Sequence, residues 1–378
     1  MKNRIKVLQL QPNYNVKPND ASDLAEQIVK GLPAEQYEVF SGYLSGRPTS
    51  TQPSSIAEHI EYFDLKEKDV TGLRLKAMWK LYRFCQKNRP DVIICNRFKV
   101  ISLVLQLNKI MRVPLCIGIA HSMDEYKRKY RQLQVKLLAD QRWRFVGVSE
   151  TVREKLIAYH SGFKTNNTVT IQNAIDIDKV ATQQLEKHIA RERLGLPQDA
   201  IIVGALGRLV AVKGHRYLIS AFARIKDEFP SARLAIIGNG KEEGALNILI
   251  KESNIIDRVN MLGWRDNAAQ YAKAFDIWTL PSLQEGLPLA LMEGMAGRLP
   301  LIASDIPQLR HIILGAGGIA VKPKDVDGLA EALRAYLSMD IHALQQKGEY
   351  GFRYLVKHHG INHYRQSYRQ LIETTLNI

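Results

Sequence analysis

Short apolar runs alternate with stretches of helical periodicity along nearly the whole chain, and this alternation limits the fold more than any other feature. In the first half, apolar runs predict strands over residues 5–10, 37–40, 92–95, 115–120 and 145–149. Between them, a polar loop over 11–19 leads to a helix that Asp20 can cap. That helix carries Leu24, Ala25, Ile28 and Val29 on one face and closes at Gly31 and Pro33. Further helices are expected over 73–87 and 100–111, and from Glu150 onward. The second half repeats the pattern, with strands over 201–206, 234–237, 259–262, 277–280 and 299–303 and helices over 215–229, 241–253 and from Leu289. Strands apolar on both faces need both faces covered, which predicts parallel sheets flanked by helices.

At 378 residues the chain is too long for one comfortable core, so two doubly wound α/β domains are expected. Residues 174–199 are polar, carry Gly195 and Pro197, and are expected to form a linker with a short helix between domains at 1–173 and 200–359. In such sheets ligands bind beyond the carboxyl ends of the strands, so two facing domains would place their loops across a shared cleft.

Composition narrows the function classes. With 46% apolar and 24% charged residues the chain is neither disordered nor collagen-like nor a coiled coil. The three cysteines, Cys85, Cys95 and Cys116, form no CxxC pair. Cys95 and Cys116 lie in apolar runs as small buried hydrophobes, which points to a reducing compartment. Residues 1–13 hold too few consecutive apolar side chains for a signal peptide. The longest apolar stretch, 100–120, is broken by Asn108, Lys109, Arg112 and Pro114, short of the roughly 18–20 residues of a spanning helix. The expected location is therefore the cytoplasm. Charge is uneven: residues 1–175 carry 28 Lys and Arg against 16 Asp and Glu, +12 of the net +15. The first half should meet something acidic.

The strongest chemical signal is Ser282-Leu-Gln-Glu285-Gly286-Leu287-Pro288, followed by Glu293. Pro288 suits a first helical turn, which leaves Glu285 and Gly286 in the loop before it. Eight helical residues span about 12 Å, too far for Glu285 and Glu293 to share a proton. They suit two ends of one elongated ligand, with the N–H groups of Gly286, Leu287 and Leu289 offering an anion site between them. A nucleotide sugar has that shape. Gly207-Arg208-Leu-Val-Ala-Val-Lys213-Gly214, between a strand and a helix, brings two cations to one loop. Such cations would stabilise a departing diphosphate without a metal, each worth roughly 3 kcal/mol of barrier.

Together, EGLPLALMEGMA with its Glu-x7-Glu spacing, GRLVAVKG, IIGNG and NMLGW resemble the retaining GT-B glycosyltransferases of family 4. The resemblance extends into the first half through Val148-Ser149 and Ile171–Asp176, where Gln172 and Ala174 depart from the usual Pro-Asn-Gly-Val-Asp. It implies a GT-B fold and no metal or other cofactor. It also implies that Glu285 binds donor-sugar hydroxyls, Glu293 the ribose, and Arg208 and Lys213 the diphosphate. Gly207, Gly286, Leu287 and Asn173 would also bind the donor. Gly238, Asn239, Gly263 and Trp264 would flank the base. His121, directly after a predicted strand, matches the histidine placed over the donor sugar, and Asp124 would assist with the acceptor. Relatives have a glycine pair after the first strand. Here the loop reads QPNYNVKP, so Asn13, Asn15 or Lys17 would reach in instead and shape acceptor choice. The last helix, around 362–376 with Tyr364, Tyr368 and Leu371 at helical spacing, resembles the segment that crosses back to the first domain. UDP is the expected carrier because it is the commonest in the family.

Several residues have plainer readings. Asp176-Ile-Asp178 and Asp325-Val-Asp327 resemble the metal-binding DxD of another fold, but capping explains both. His358, His359 and His363 read as a solvated helix end rather than a metal site. Lys127-Arg128-Lys129-Tyr130-Arg131, with Lys136 and Arg142, reads either as a solvated face or as a contact for anionic lipid on the inner face of the cytoplasmic membrane. Nucleic-acid binding fits the charge but has no supporting motif. The expected partners are a nucleotide sugar and an acidic glycan or glycolipid acceptor of the cell envelope. Two competing readings are a non-catalytic nucleotide-binding protein on the same scaffold and a sugar-nucleotide epimerase.

Overall fold

The structure, a computed structural model, describes residues 4–17, 21, 23–50 and 52–378. It divides into two compact units, residues 1–173 with 361–378, and residues 174–360.

The first unit is built on a seven-stranded sheet. Its strands are β1 (Ile5–Asn13), β2 (Tyr37–Ser45), β3 (His59–Tyr62), β4 (Val92–Asn96), β5 (Leu115–Ala120), β6 (Trp143–Gly147) and β7 (Thr168–Thr170), in the order β3-β2-β1-β4-β5-β6-β7. Every pairing is parallel. All residues of β4 and β5 are buried, as expected where helices cover both faces. The helices are α1 (Leu24–Lys30), α2 (Leu75–Asn88), α3 (Arg97–Met111), α4 (Lys129–Leu138) and α5 (Glu150–Ala158), with α14 (Ile361–Leu376) contributed by the chain's end. Buried Tyr364, Tyr368 and Ile372 seat α14, and the Tyr364 hydroxyl donates to the Leu24 carbonyl of α1.

Two expectations change at the N-terminus. β1 continues through Gln11, Pro12 and Asn13, placed by sequence in a loop. Pairing with β4 ends at Leu10, and the β2 ladder skips Pro12 and resumes at Asn13↔Ser45, so the missing proline N–H costs no ladder bond. Asp20 lies outside the described residues; Asp23 caps α1, accepting from the Glu26 N–H at 3.3 Å.

The second unit holds a six-stranded parallel sheet in the order β10-β9-β8-β11-β12-β13. Its strands are β8 (Ile201–Leu206), β9 (Ala232–Ile237), β10 (Val259–Met261), β11 (Ile277–Leu280), β12 (Leu301–Ser304) and β13 (Ile319–Val321). Helices α6 (Ile177–Gln183), α7 (Lys187–Leu194), α8 (His215–Ile225), α9 (Glu243–Glu252), α10 (Leu289–Ala296), α11 (Pro307–Gly315), α12 (Val326–Leu337) and α13 (Ile341–His358) surround it.

Residues 174–199, expected as a linker, instead carry α6 and α7 and belong to this unit. The tie is polar. Arg191 of α7 is 1% exposed; its Nη2 lies 2.6 Å from Asp276 Oδ2, and its Nε donates to the Ala274 carbonyl. Asp276 also accepts from Lys187 and from the Ile202 N–H, which fixes α7 against the start of β11. His359 departs from the solvated reading as well. It is 2% exposed at the end of α13, and its carbonyl accepts from the Ile175 N–H. Asp176 and Asp325 cap α6 and α12 through the N–H groups of Lys179 and Gly328.

Candidate functional site

In both sheets the order reverses beside the first strand of the unit, between β1 and β4 and between β8 and β11. The crevice beyond the carboxyl ends of such neighbours is where doubly wound sheets bind ligands. In the second unit the two loops there are the two strongest motifs of the sequence.

After β8 the chain runs through Gly207 and Arg208 into a short turn, 211–213, and then α8. After β11 it runs through Pro281 to Pro288 into α10. Because β8 and β11 pair, these loops meet. The Leu283 N–H donates to the Val212 carbonyl at 2.7 Å, and Lys213 Nζ lies 2.6 Å from Glu285 Oε1. Both side chains are mostly buried. The sequence assigned Lys213 and Glu285 to different parts of a ligand; the structure joins them as an ion pair.

Glu293 sits on α10, one turn or more beyond Glu285, and is 7% exposed. Its backbone carbonyl accepts from Gln184 of α6 at 3.0 Å. Pro288 is the cap of α10 rather than part of its first turn, and Gly286 and Leu287 are buried before it. Gly294 lets the helix lie on the sheet: a Cβ there would come within 2.6 Å of the Trp278 ring.

The loops after β9 and β10 close the same end. Gly238 donates to the Gly263 carbonyl, and Leu209 donates to Asn239. A Cβ at Gly238 would stand 1.9 Å from the Gly207 carbonyl oxygen. IIGNG is therefore required by the close approach of two loop backbones. Trp264, after Gly263, is 62% exposed, with its indole N–H donating to Asp266.

In the first unit His121 follows β5 directly, as expected. Its backbone N–H donates to Glu125 Oε2 at 2.8 Å, and Glu125 Oε1 accepts from the Phe98 N–H at 2.6 Å. One carboxylate thus ties the end of β5 to the start of α3. Burial, then the nearby Arg97 charge, pulls the His121 pKa down to about 4. Burial pushes the Glu125 carboxyl up, opposed by its two N–H bonds. Sequence reading passed over both Arg97 and Glu125. Arg97 is exposed at the end of β4 with φ +68°, a conformation uncommon outside glycine and frequent at functional sites. Its position directly after a strand was the available signal. Glu125 was hidden inside a basic run.

The other first-unit candidates are less concentrated. Asn13, Asn15, Lys17 and Asp124 are exposed. The Asn13 side-chain oxygen is 2.6 Å from Ser45 Oγ and so is engaged between strands, and the Lys17 backbone N–H donates to Asp23. Asn173 is buried at the end of the unit's main segment. Arg131, counted with the basic run, is structural: it donates to the Glu125 carbonyl and lies over the Phe98 ring. Among the described residues, no group of three or more His, Cys, Asp or Glu side chains could hold a metal ion.

Solved structures share this architecture over the whole chain. Sucrose-phosphate synthase from Thermosynechococcus elongatus superposes with a TM-score of 0.81 at 20% identity, covering 99% of this chain and 100% of that one. The Anabaena protein HepE in complex with UDP-glucose gives 0.81 at 18% identity, covering 98% and 100%. The fold is therefore GT-B.

Two family models match in succession: Glycosyltransferase Family 4 over residues 23–179 and Glycosyl transferases group 1 over residues 186–353. The chain belongs to this glycosyltransferase family. Among curated relatives, an uncharacterized glycosyltransferase of Methanocaldococcus jannaschii is 26% identical over 61% of this chain. UDP-Gal:alpha-D-GlcNAc-diphosphoundecaprenol alpha-1,3-galactosyltransferase of Escherichia coli is 26% identical over 68%. A lipopolysaccharide core biosynthesis glycosyltransferase of Rhizobium meliloti is 32% identical over 38%. The matches span 59%, 69% and 42% of these relatives' own lengths.

Proposed function

We propose that the chain transfers a sugar from a nucleoside-diphosphate sugar, with UDP as carrier, to a cell-envelope glycan or lipid-linked oligosaccharide. The observation that carries this reading is the Lys213–Glu285 pair beside Arg208 at the switch point of the second sheet. It sets cations for a diphosphate next to a carboxylate that can accept from sugar hydroxyls. The acceptor hydroxyl oxygen bonds to the anomeric carbon as that carbon's bond to the phosphate oxygen breaks. The electron pair leaves with the diphosphate, and the acceptor proton passes to the departing phosphate oxygen on the same face, so configuration is retained. Arg208 and Lys213 stabilise the charge that grows on the leaving group, without a metal. His121, neutral at the end of β5, is a hydrogen-bonding group rather than a charge in this reading.

The acceptor reading draws on the first unit. Arg74 Nη1 donates to Ser102 Oγ, which lies 2.7 Å from Gln134 Oε1, so the start of α2 and the middle of α4 meet across α3. This gathers exposed Leu73, Leu75, Tyr130, Leu133 and Leu137 amid exposed Lys76, Lys127, Arg128, Lys129 and Lys136. An apolar patch in a basic field suits an anionic lipid surface. Among the described residues no helix is long and apolar enough to cross a membrane. The diphosphoundecaprenol acceptor of the Escherichia coli relative and the UDP-glucose of HepE point the same way.

Thermal stabilisation by UDP, GDP and ADP, with wild type and Glu293→Ala, tests the donor. A ligand at 100 times its Kd adds about 2.7 kcal/mol. A shift with one nucleotide, absent in the variant, is expected; no shift with any of them refutes the reading. Isomerised donor without acceptor would indicate an epimerase. Sedimentation with phosphatidylglycerol vesicles, lost in Leu133→Asp/Leu137→Asp and weakened by salt, tests the surface.

A further inference from the structure

The loop after β8 holds one side chain with no role so far. His215, the first residue of α8, is 4% exposed, and its ring nitrogens make no well-formed hydrogen bond, with the Arg208 backbone the polar group beside them. Buried polar atoms are rarely left so, and each exception calls for a reason.

Geometry supplies one. A Cβ built on Gly207 would meet His215 Nε2 at 3.8 Å and Lys213 Cδ and Cε at 3.9 Å, with nothing nearer. The absent side chain thus leaves a small space beside Arg208, lined by the imidazole edge and the lysine stem. The ring cannot easily withdraw. Gly214, with φ +69°, lies so close to the loop after β11 that a Cβ there would be 2.0 Å from the Pro281 carbonyl oxygen. That contact fixes the start of α8, whose N-terminal N–H groups favour an anion in the same place.

Building on the reading of this loop as the diphosphate site, we propose that His215 is a third diphosphate-binding group, its Nε2–H donating to a phosphoryl oxygen over Gly207 between Arg208 and Lys213. The charge acting on the ring is that of Lys213, itself paired with Glu285, and the Arg208 backbone lies beside the ring. Burial holds the imidazole pKa down to about 4; the Arg208 backbone opposes this and Lys213 adds to it. The ring is therefore neutral in the free protein. A diphosphate reverses the sign of the local field, so binding draws one proton from solvent onto His215.

The test uses inorganic pyrophosphate, which needs no knowledge of base or sugar. His215 ring resonances, identified by their loss in His215→Gln, are followed from about pH 4 to about pH 8 with and without saturating pyrophosphate. The midpoint should rise by about one unit or more on binding. His215→Leu should weaken pyrophosphate about tenfold without lowering Tm, because the buried ring it replaces is poorly hydrogen-bonded. His215→Gln, which keeps an N–H near the Nε2 position, should recover part of the affinity without the proton uptake. An unmoved midpoint, or wild-type affinity in His215→Leu, overturns the assignment of His215 and leaves the diphosphate loop standing. Wild-type protein that binds neither pyrophosphate nor UDP, GDP or ADP overturns both.

Discussion

Glu285→Gln should separate binding from transfer in opposite directions. The carboxylate stands 2.6 Å from Lys213 Nζ, so any phosphate that Nζ contacts lies roughly 6–7 Å from the carboxylate. At an effective dielectric near 20, two like unit charges at that distance repel by about 2.5 kcal/mol. Screening at moderate salt brings this to about 1 kcal/mol. Lysine has three donors and need not release Glu285 to bind phosphate, so the repulsion persists in the complex. Removing the charge while keeping the shape should therefore tighten a bare nucleoside diphosphate about five- to tenfold. Transfer should fall about a hundredfold or more, because the amide accepts poorly from sugar hydroxyls. Titration calorimetry with UDP, GDP and ADP gives the first quantity, and initial rates with the matching nucleotide sugar give the second. Weaker nucleotide binding in Glu285→Gln would refute the reasoning, since it would mean that the carboxylate chiefly holds Lys213 in position.

Three further outcomes follow from the geometry. His121 has a pKa of about 4 in the folded protein against about 6.5 unfolded, so the unfolded chain binds more protons between those values. Its contribution is complete above about pH 6.5 and lost as pH falls toward 4; urea midpoints should decline less over that window in His121→Gln than in wild type. Gly294→Ala places a Cβ within 2.6 Å of the Trp278 ring and should cost about 1–3 kcal/mol while displacing Glu293. Thermal melts and donor affinity should therefore fall together, and a drop in only one of them would contradict the account. Arg191→Leu leaves the buried Asp276 carboxylate with only Lys187 as counter-charge beside the Ile202 N–H and should cost about 3–5 kcal/mol, read as early unfolding of the second unit by hydrogen exchange.

Much of the fold was legible because fully buried parallel strands are written as apolar runs. β5, β8 and β11 lie where the runs over 115–120, 201–206 and 277–280 placed them. β3, β7 and β13 were not read; they are three or four residues long, border their sheets, and only β13 is apolar throughout. α7 was read as linker because its essential buried residue is an arginine, and a charge satisfied by Asp276 eighty-five residues away leaves no periodic trace. The candidate site was legible as motifs but not as contacts. Spacing and resemblance singled out Lys213 and Glu285 separately, and only the pairing of β8 with β11 makes them neighbours. His215 escaped notice because an isolated histidine at a helix start carries no pattern; its poor hydrogen bonding is a property of three-dimensional packing.

The division of the chain bears on how it is made. The second unit is one continuous stretch, 174–360, inserted into the first, whose helix α14 follows it in sequence. A ribosome therefore delivers 173 residues of the first unit and then all of the second before α14 emerges. Until then α1 lacks the tyrosine-lined surface that Tyr364, Tyr368 and Ile372 provide. Domains generally fold in the order of synthesis. Here the unit begun first is completed after the other, so a nascent chain should hold a finished second unit while the first is still open along α1.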